Sequence, residues 1–526
     1  MPRPFSQLRR RLRPLLSGRC GQRLGDAGAL GAGALMPAAF APWNLWPLPL
    51  PLLALLALLW RHGTTMRACW RGWLFGFGMF AAGVGWVRIS IRMYGDLPGP
   101  VAWLLSLILA ASLALYPALV GLIGRRLMPA RPGCTGHDAI WLLLAVPSLW
   151  TLSEWLRSLL LTGFPWLSLG YSQTDGPLGG WAPLLGIFGL GWLLAHSACL
   201  LAWLCLRRGR GALPALCLGG LIWALGPPLR EVSWTAPRPG GELSVAVIQG
   251  AIPQPLKWDA AYLTETVTRY RRLSAPHWGA DLIVWPETVI PAFRHQVGPL
   301  LAELRQRGQS ANTELLLGIP VRDSETGKLY NSLLYLGRGT GVYHKRHLVP
   351  FGEYLPLERL LAPPLRRLGV PVPAFSGATG EKPLLYPSFG PVGVAICYEI
   401  IFGSELLDML PEAELLVNVS NDAWFGDSLA PHQHLQIARA RALEVGRYLV
   451  RATNDGISAV IDEKGRLLAQ AAQFQPQTLT ARALQFRGIT PYARWGDWPM
   501  VALSLALCAA SLAAGRNARR NERLAQ

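Results

Sequence analysis

Seven apolar stretches fill the first 228 residues, near 24–42, 43–60, 69–89, 99–124, 139–157, 181–206 and 211–228, and an eighth lies near 498–515. Each is about 17–25 residues long, which is what a helix needs to cross ~30 Å of hydrocarbon. Lipid constrains such a chain first, because every backbone N–H and C=O within it must be bonded by protein. The predicted fold is therefore a multi-pass α-helical membrane bundle of about eight spans, with one long polar segment between spans seven and eight. The first two stretches are the weakest, since Pro42, Pro47, Pro49 and Pro51 crowd the turn between them. Arg3, Arg9, Arg10, Arg11 and Arg13 resemble the charged start of a secretory signal. More apolar segments follow at once, so a retained first span is predicted.

The net charge of +19 invites a nucleic-acid reading, and its distribution argues against one. Residues 1–228 carry 19 Lys/Arg against five acids, whereas residues 229–497 carry 27 against 25. The basic residues flank apolar segments, where the positive-inside rule expects them, and trace no groove for phosphates. With the N-terminus in the cytoplasm, Arg61, Arg67 and Arg71, then Arg125, Arg126 and Arg131, then Arg207, Arg208 and Arg210 fall in cytoplasmic loops. Seven crossings then leave 229–497 on the outer face, and the eighth returns the basic 498–526 tail inside. At the outer end of the fifth stretch, Glu154 and Arg157 either snorkel at the interface or meet a lipid headgroup.

Residues 229–497 alternate short apolar runs with amphipathic stretches. Strands are predicted at Ser244–Gln249, Leu282–Trp285, Glu314–Gly318, Ser332–Leu336, Gly341–His344, Val392–Cys397, Leu415–Ser420, Tyr448–Ala452 and Ser458–Ile461. Helices are predicted near Ala260–Leu273, Pro299–Gln309 and His432–Gly446. The pattern is that of an α/β layered domain, and no internal repeat stands out. An apolar, proline-rich and basic arm near 346–376 is either a packed loop or an interfacial lid.

Cys397 is the only cysteine of this polar segment. It ends the buried run Val392–Ile396, so it is either inert core or a reactive thiol. Three other apolar runs also end in polar groups. Asp281-Leu-Ile-Val-Trp-Pro-Glu287 leaves Glu287 at a strand tip, Tyr343-His-Lys345 precedes Leu348-Val-Pro-Phe-Gly-Glu353, and Val417–Ser420 opens into Asn-Asp-Ala-Trp424-Phe-Gly-Asp427. Singly, Glu287 or Lys345 reads as a solvated loop charge. Jointly with a strand-end thiol they supply what acyl chemistry needs: a base for a thiol of pKa ~8.5 and a cation for an oxyanion. His432-x-His434 could suggest a metal-ligand pair, but beside a helix start it reads as structural or polar surface.

Trp-Pro-Glu287, Tyr-x-Lys345 and Cys397-Tyr-Glu resemble the Glu-Lys-Cys triad of the nitrilase (carbon–nitrogen hydrolase) superfamily. The eight-span frame, Pro253-x-x-x-Lys257-Trp258-Asp259, Leu348–Glu353 and Ser420–Asp427 are similar to the apolipoprotein N-acyltransferase family in particular. That resemblance implies a nitrilase-like α-β-β-α sandwich on a bacterial inner-membrane bundle, facing the periplasm, with both termini cytoplasmic. It implies ping-pong transfer of a fatty acyl chain from a phospholipid, usually phosphatidylethanolamine, through a Cys397 thioester. The acceptor would be the α-amine of the S-diacylglyceryl cysteine of an apolipoprotein. Glu287 would be the base, Lys345 and the Tyr398 N–H would hold the oxyanion, and Glu353 would orient Lys345 or share protons. Trp258, Tyr398, Glu399 and Trp424 would shape the pocket, with no metal or cofactor required. Moving an acyl chain of about sixteen carbons through water would cost on the order of 12 kcal/mol at roughly 0.8 kcal/mol per CH₂, so such a thiol must reach the bilayer. A membrane-tethered amidase with the same triad, and a non-catalytic lipid-binding or transport protein, are the alternative readings.

Overall fold

The computed structural model describes residues 18–95, 97–128, 139–206, 213–257, 259–359, 362–363, 375–380 and 383–524. Helices α1 (Gly18–Leu35), α2 (Pro49–Arg61), α3 (Thr65–Gly83), α4 (Val87–Tyr94), α5 (Gly99–Leu113), α6 (Leu115–Leu127), α7 (Val146–Arg157), α8 (Ala182–Leu206) and α9 (Leu213–Glu231) form the N-terminal bundle. Small residues let these helices meet closely. A Cβ on Gly33 of α1 would sit 1.9 Å from the Phe75 carbonyl oxygen of α3, so this crossing tolerates no side chain.

Not every predicted span is a long apolar helix among the described residues. Among the described residues, Gly99–Leu127, Pro177–Leu206, Leu213–Glu231 and Trp498–Asn517 are long and apolar enough to cross a membrane. Thr65–Gly83 with Val87–Met93 makes a fifth if that pair, bent by 54°, is one span. The 24–42 stretch breaks at the 3₁₀ turn Met36–Ala39. The 43–60 stretch keeps only the 13 residues of α2, about 20 Å at 1.5 Å per residue. Prolines explain both shortenings: Pro37 lies in the turn, and Pro49 and Pro51 begin α2.

Residues Thr235–Gly488 fold into two six-stranded sheets. Strands β1 (Thr235–Gln249), β2 (Leu282–Val284), β3 (Glu314–Arg322), β4 (Leu329–Leu336) and β5 (Thr340–His344) pair in sequence order, with β12 (Gln477–Gly488) outside β1. The second sheet runs β6 (Leu384–Leu385), β7 (Val392–Ile396), β8 (Leu415–Ser420), β9 (Leu449–Thr453), β10 (Ala459–Ile461) and β11 (Leu467–Gln470). In each, three central strands are parallel and the flanking pairs antiparallel. The two sheets are thus one pattern used twice, a repeat of structure that the residues themselves do not display.

Alternation along the strands builds the layers. Val245, Val247, Leu282, Val284, Val392, Val394, Ile396, Val417 and Val419 form the core between the sheets. The intervening Ala246, Ile248, Ile283 and Trp285 pack under the helices α10 (Leu263–Ser274) and α11 (Gly298–Ala311). On the other side, Ala395, Leu416, Leu449 and Ile461 join one continuous core with the bundle. Helix α12 (Leu429–Val445) covers that face, so the order is α-β-β-α. Ser428 caps its start, and Gly446 at φ +62° ends it.

Helix α12 has no solvent face of the usual kind, because its polar side is spent on the bundle. Gln436 Oε1 accepts from the Ala41 N–H at 3.1 Å, Gln433 Oε1 from Trp166 Nε1 at 2.7 Å, and Glu444 Oε1 from the Ile187 N–H at 2.7 Å. Arg441 pairs with Glu444 and Tyr171. Burial pushes the Glu444 carboxyl up to about 7 against the pull of Arg441. Helix α13 (Trp498–Leu524) then closes the chain against α7.

Removing one partner of a buried pair typically costs 3–5 kcal/mol. Arg441→Met is therefore expected to lower the thermal unfolding temperature in detergent clearly. Arg482→Met, which breaks an exposed pair with Glu242, should change stability by at most about 1 kcal/mol.

Candidate active site

Three strand ends converge at one edge of the sandwich. Pro286 stops β2 and leaves Glu287 beyond its tip. The turn crosses Gly318 of β3, where a Cβ would lie 2.4 Å from the Pro286 oxygen and from the Thr288 nitrogen. Lys345 follows β5, and its N–H bonds the Asn331 oxygen at 2.8 Å. Cys397 follows β7 at φ +52°, a left-handed conformation costing a non-glycine residue about 1–2 kcal/mol.

Lys345 is only 1% exposed. Its Nζ lies 2.8 and 2.9 Å from the two Glu353 oxygens and 3.6 Å from Glu287 Oε1. Burial would push the ammonium down, but Glu353, Glu287 and Cys397 together hold it above its ordinary value. Asn331 Nδ2 bridges the carboxylates, donating at 2.7 Å to Glu287 and 3.0 Å to Glu353. The Asn421 N–H donates to Glu287 Oε2 at 2.8 Å. Both carboxylates are thus oriented from several sides.

The Cys397 thiol is buried within the fields of Glu287, Lys345 and Asp422. Burial first, then the Glu287 charge, pushes it up, while Lys345 pulls it down. At rest the sulfur is therefore a neutral thiol, and its activation requires proton transfer to a neighbouring base. A thiol, a carboxylate and a fixed ammonium in one buried cluster suit thiolate attack on a carbonyl carbon.

The other predicted residues divide. Glu399 is a clamp: Oε1 accepts from Tyr343 OH at 2.8 Å and from the N–H groups of Arg346 and His347 at 2.6 and 3.2 Å, while Oε2 takes the Ile396 N–H at 2.6 Å. It ties the Lys345 loop to the cysteine turn. Burial pushes its carboxyl up to about 7, and the Ile396, Arg346 and Tyr343 donors and the Lys345 charge oppose that rise. Tyr398 OH donates to the Gly163 oxygen at 2.9 Å, joining the cysteine turn to the bundle. Ser90 of α4 donates to the Trp424 carbonyl at 2.5 Å, and Phe425 packs on Trp86 with centroids 4.7 Å apart. Trp258 lies outside the described residues.

Glu154 and Arg157 neither snorkel nor face a headgroup. Both are buried, with Arg157 donating to the Phe164 and Trp166 oxygens at 2.6 Å each and Glu154 accepting from the Leu169 N–H at 2.9 Å. They fold the loop that meets Tyr398. Of the arm near 346–376, residues 360–361 and 364–374 lie outside the described residues. Its described base buries Leu348 and Leu355 but exposes Phe351 and Leu357 by 66% and 73%.

Composition and spacing did not single out Asn331, Asn421 or the role of Lys257. Lys257 Nζ donates to the Glu287 carbonyl oxygen at 3.1 Å, and burial pushes its ammonium down to about 8. The one available signal was polar residues inside an apolar strand, such as Asn331 and Ser332 between Tyr330 and Leu333. His432 and His434 make no ligand pair, since both ring nitrogens of His434 face protein groups. Among the described residues, no group of three or more His, Cys, Asp and Glu could hold a metal ion.

Residues 244–494 match the family model described as carbon-nitrogen hydrolase, and residues 32–200 match that of the apolipoprotein N-acyltransferase N-terminal domain. A Methylococcus capsulatus protein named apolipoprotein N-acyltransferase is 45% identical, covering 90% of this chain and 93% of its own. One from Azotobacter vinelandii with the same name is 42% identical, covering 92% and 94%. The crystal structure of Saccharomyces cerevisiae Nit3, of the nitrilase superfamily, is 19% identical with a TM-score of 0.36, over 46% of this chain and 90% of that one.

Glu399→Gln would turn an amide NH₂ toward a backbone N–H. An unsatisfied buried donor costs about 1–3 kcal/mol. The variant is expected to unfold at lower temperature and, once folded, to alkylate Cys397 at an altered rate, measured with a maleimide.

Proposed function

The chain belongs to the apolipoprotein N-acyltransferase family, and from that membership we propose how its residues carry the reaction. The enzyme is an acyltransferase that moves a fatty acyl chain from a phospholipid to the N-terminus of an apolipoprotein. Glu287 takes the Cys397 proton, and the sulfur attacks the ester carbonyl carbon of the phospholipid. Lys345 and the Tyr398 N–H hold the oxyanion. As the C–O bond breaks, Glu287 returns the proton to the leaving oxygen, and lysophospholipid departs from a Cys397 thioester. The α-amine of the diacylglyceryl cysteine then attacks that carbonyl and loses a proton to Glu287. The C–S bond breaks, an amide forms, and the thiol is restored.

The observation that carries this reading is the buried Lys345 ammonium, gripped by Glu353 and Glu287 inside the field of Cys397. Glu353 fixes the cation, Glu399, Tyr398 and Trp424 keep the surrounding loops in register, and Trp258 shapes the pocket by family resemblance. The same turn bonds the bundle through Tyr398 and Gly163, which supports a thiol served directly from lipid. We read the exposed Phe351 and Leu357 as the base of a lid that dips into the membrane surface. Eight crossings, with both termini in the cytoplasm and residues 229–497 in the periplasm of a bacterial inner membrane, fit the arginine distribution. The donor is phosphatidylethanolamine in this reading, and neither metal nor cofactor takes part.

Membranes holding the protein, given phospholipid labelled in its sn-1 chain, should yield a hydroxylamine-labile label on the wild type. Cys397→Ala should show none. Glu287→Gln should reduce labelling by at least 100-fold, and normal labelling in that variant would remove Glu287 as base. Release of ammonia from simple amides, without transfer to a diacylglyceryl peptide, would favour a hydrolytic amidase instead.

A further inference from the structure

The main chain of Cys397 is held as deliberately as its thiol. A left-handed residue with a Cβ persists only where its surroundings over-determine it. At Cys397 the constraint comes from α12, where His434 Nε2 lies 3.2 Å from the Cys397 carbonyl oxygen. A carbonyl can only accept, so Nε2 carries the proton. On the other side of the ring, Arg451 Nη2 lies 3.0 Å from Nδ1. Nδ1 also lies 3.2 Å from Asp422 Oδ1, so it faces a donor and an acceptor together, whereas the carbonyl at Nε2 requires a proton there. Burial, then the Arg451 charge, holds His434 below its ordinary range against the pull of Asp422, which favours a neutral ring with its proton on Nε2.

The support extends backward. Arg451 Nη2 donates to Asp422 Oδ2 at 2.8 Å, and its Nη1 bonds Asn418 Oδ1. Asp422 Oδ1 accepts from Ser420 Oγ at 2.7 Å. His434, Arg451 and Asp422 are all fully buried, and none is in the set that performs the transfer. The carbonyl of Cys397 and the N–H of Tyr398 belong to one rigid peptide unit, trans and planar, so they point in opposite directions. Whatever grips that oxygen therefore aims that N–H.

We propose that His434, set by Arg451 and Asp422, is a positioning residue for acyl transfer: its Nε2–H grips the Cys397 carbonyl, fixing the left-handed turn and directing the Tyr398 N–H toward the developing oxyanion. The inference rests on Cys397 being the acylated nucleophile. Its own prediction is narrower, namely that rate follows the presence of an N–H donor at position 434.

His434→Gln keeps a donor for the carbonyl and an acceptor for Arg451. His434→Glu has similar reach and can pair with Arg451, but its carboxylate offers no donor. His434→Leu offers neither. Acylation rate from labelled phospholipid is measured under saturating donor, with thermal unfolding in detergent as the check on folding. His434→Gln is expected within about fivefold of wild type, whereas folded His434→Glu and His434→Leu should lose on the order of 100-fold in rate with donor KM little changed. Wild-type rates in either donor-less variant, or a comparable loss in folded His434→Gln, would overturn the proposal. Should both donor-less variants fail to fold, the His434→Gln rate alone decides it. The Cys397→Ala control separates the two levels, because absence of a thioester in the wild type would remove the nucleophile itself.

Discussion

A single buried ammonium organises the centre of this molecule. Lys345 is removed from water, which costs several kcal/mol for an ion in a protein interior, and only the two carboxylates around it make that tolerable. At 4 Å and an effective dielectric of about 20, each opposite charge contributes roughly 4 kcal/mol. Glu353 binds Nζ through both of its oxygens and Glu287 stands a little farther off. The result is a cation that neither swings nor deprotonates, held beside a thiol that burial keeps neutral. Charge that develops on a substrate oxygen would meet a donor already in place, with little reorganisation required.

The sandwich supplies the convergence. Two sheets of the same pattern bring the ends of β2 and β7 to one edge, so Glu287 comes from one half of the sandwich and Cys397 from the other. The second sheet then shares one apolar core with the bundle, and α12 spends its polar side on bundle backbone and side chains. Tyr398, next to the thiol, is bonded to a bundle loop that Arg157 folds from beneath. Membrane part and catalytic part are thereby one mechanical unit at the point where an acyl chain would arrive.

Much of this was legible in the residues. Apolar runs with a polar terminus located β2, β7 and β8, and strand Leu415–Ser420 matches its predicted bounds. The strands that escaped notice are of a different kind. β6 has two residues, and β11 and β12 are edge strands whose alternation is carried by small or exposed side chains such as Ala481 and Leu468. Hydropathy did not reveal the breaks in the first two stretches, because Pro37 sits in a turn and Pro49 and Pro51 fix the start of a short helix. Glu154 and Arg157 were misread for a related reason: charge near a span end suggests lipid headgroups, and only the folded loop reveals the carbonyls that satisfy it. His434 reads from the sequence as structural or polar surface, and its target, the backbone carbonyl just after β7, leaves no trace in spacing.

The account stands on the claim that a fixed ammonium lets the Cys397 sulfur hold an acyl chain. Purified protein incubated with phospholipid and no acceptor, then digested and weighed by mass spectrometry, tests it directly. The peptide containing Cys397 should gain the mass of one acyl group in the wild type and remain unmodified in Lys345→Met. An acyl group found on another residue, or Lys345→Met acylated to the wild-type extent, would contradict it.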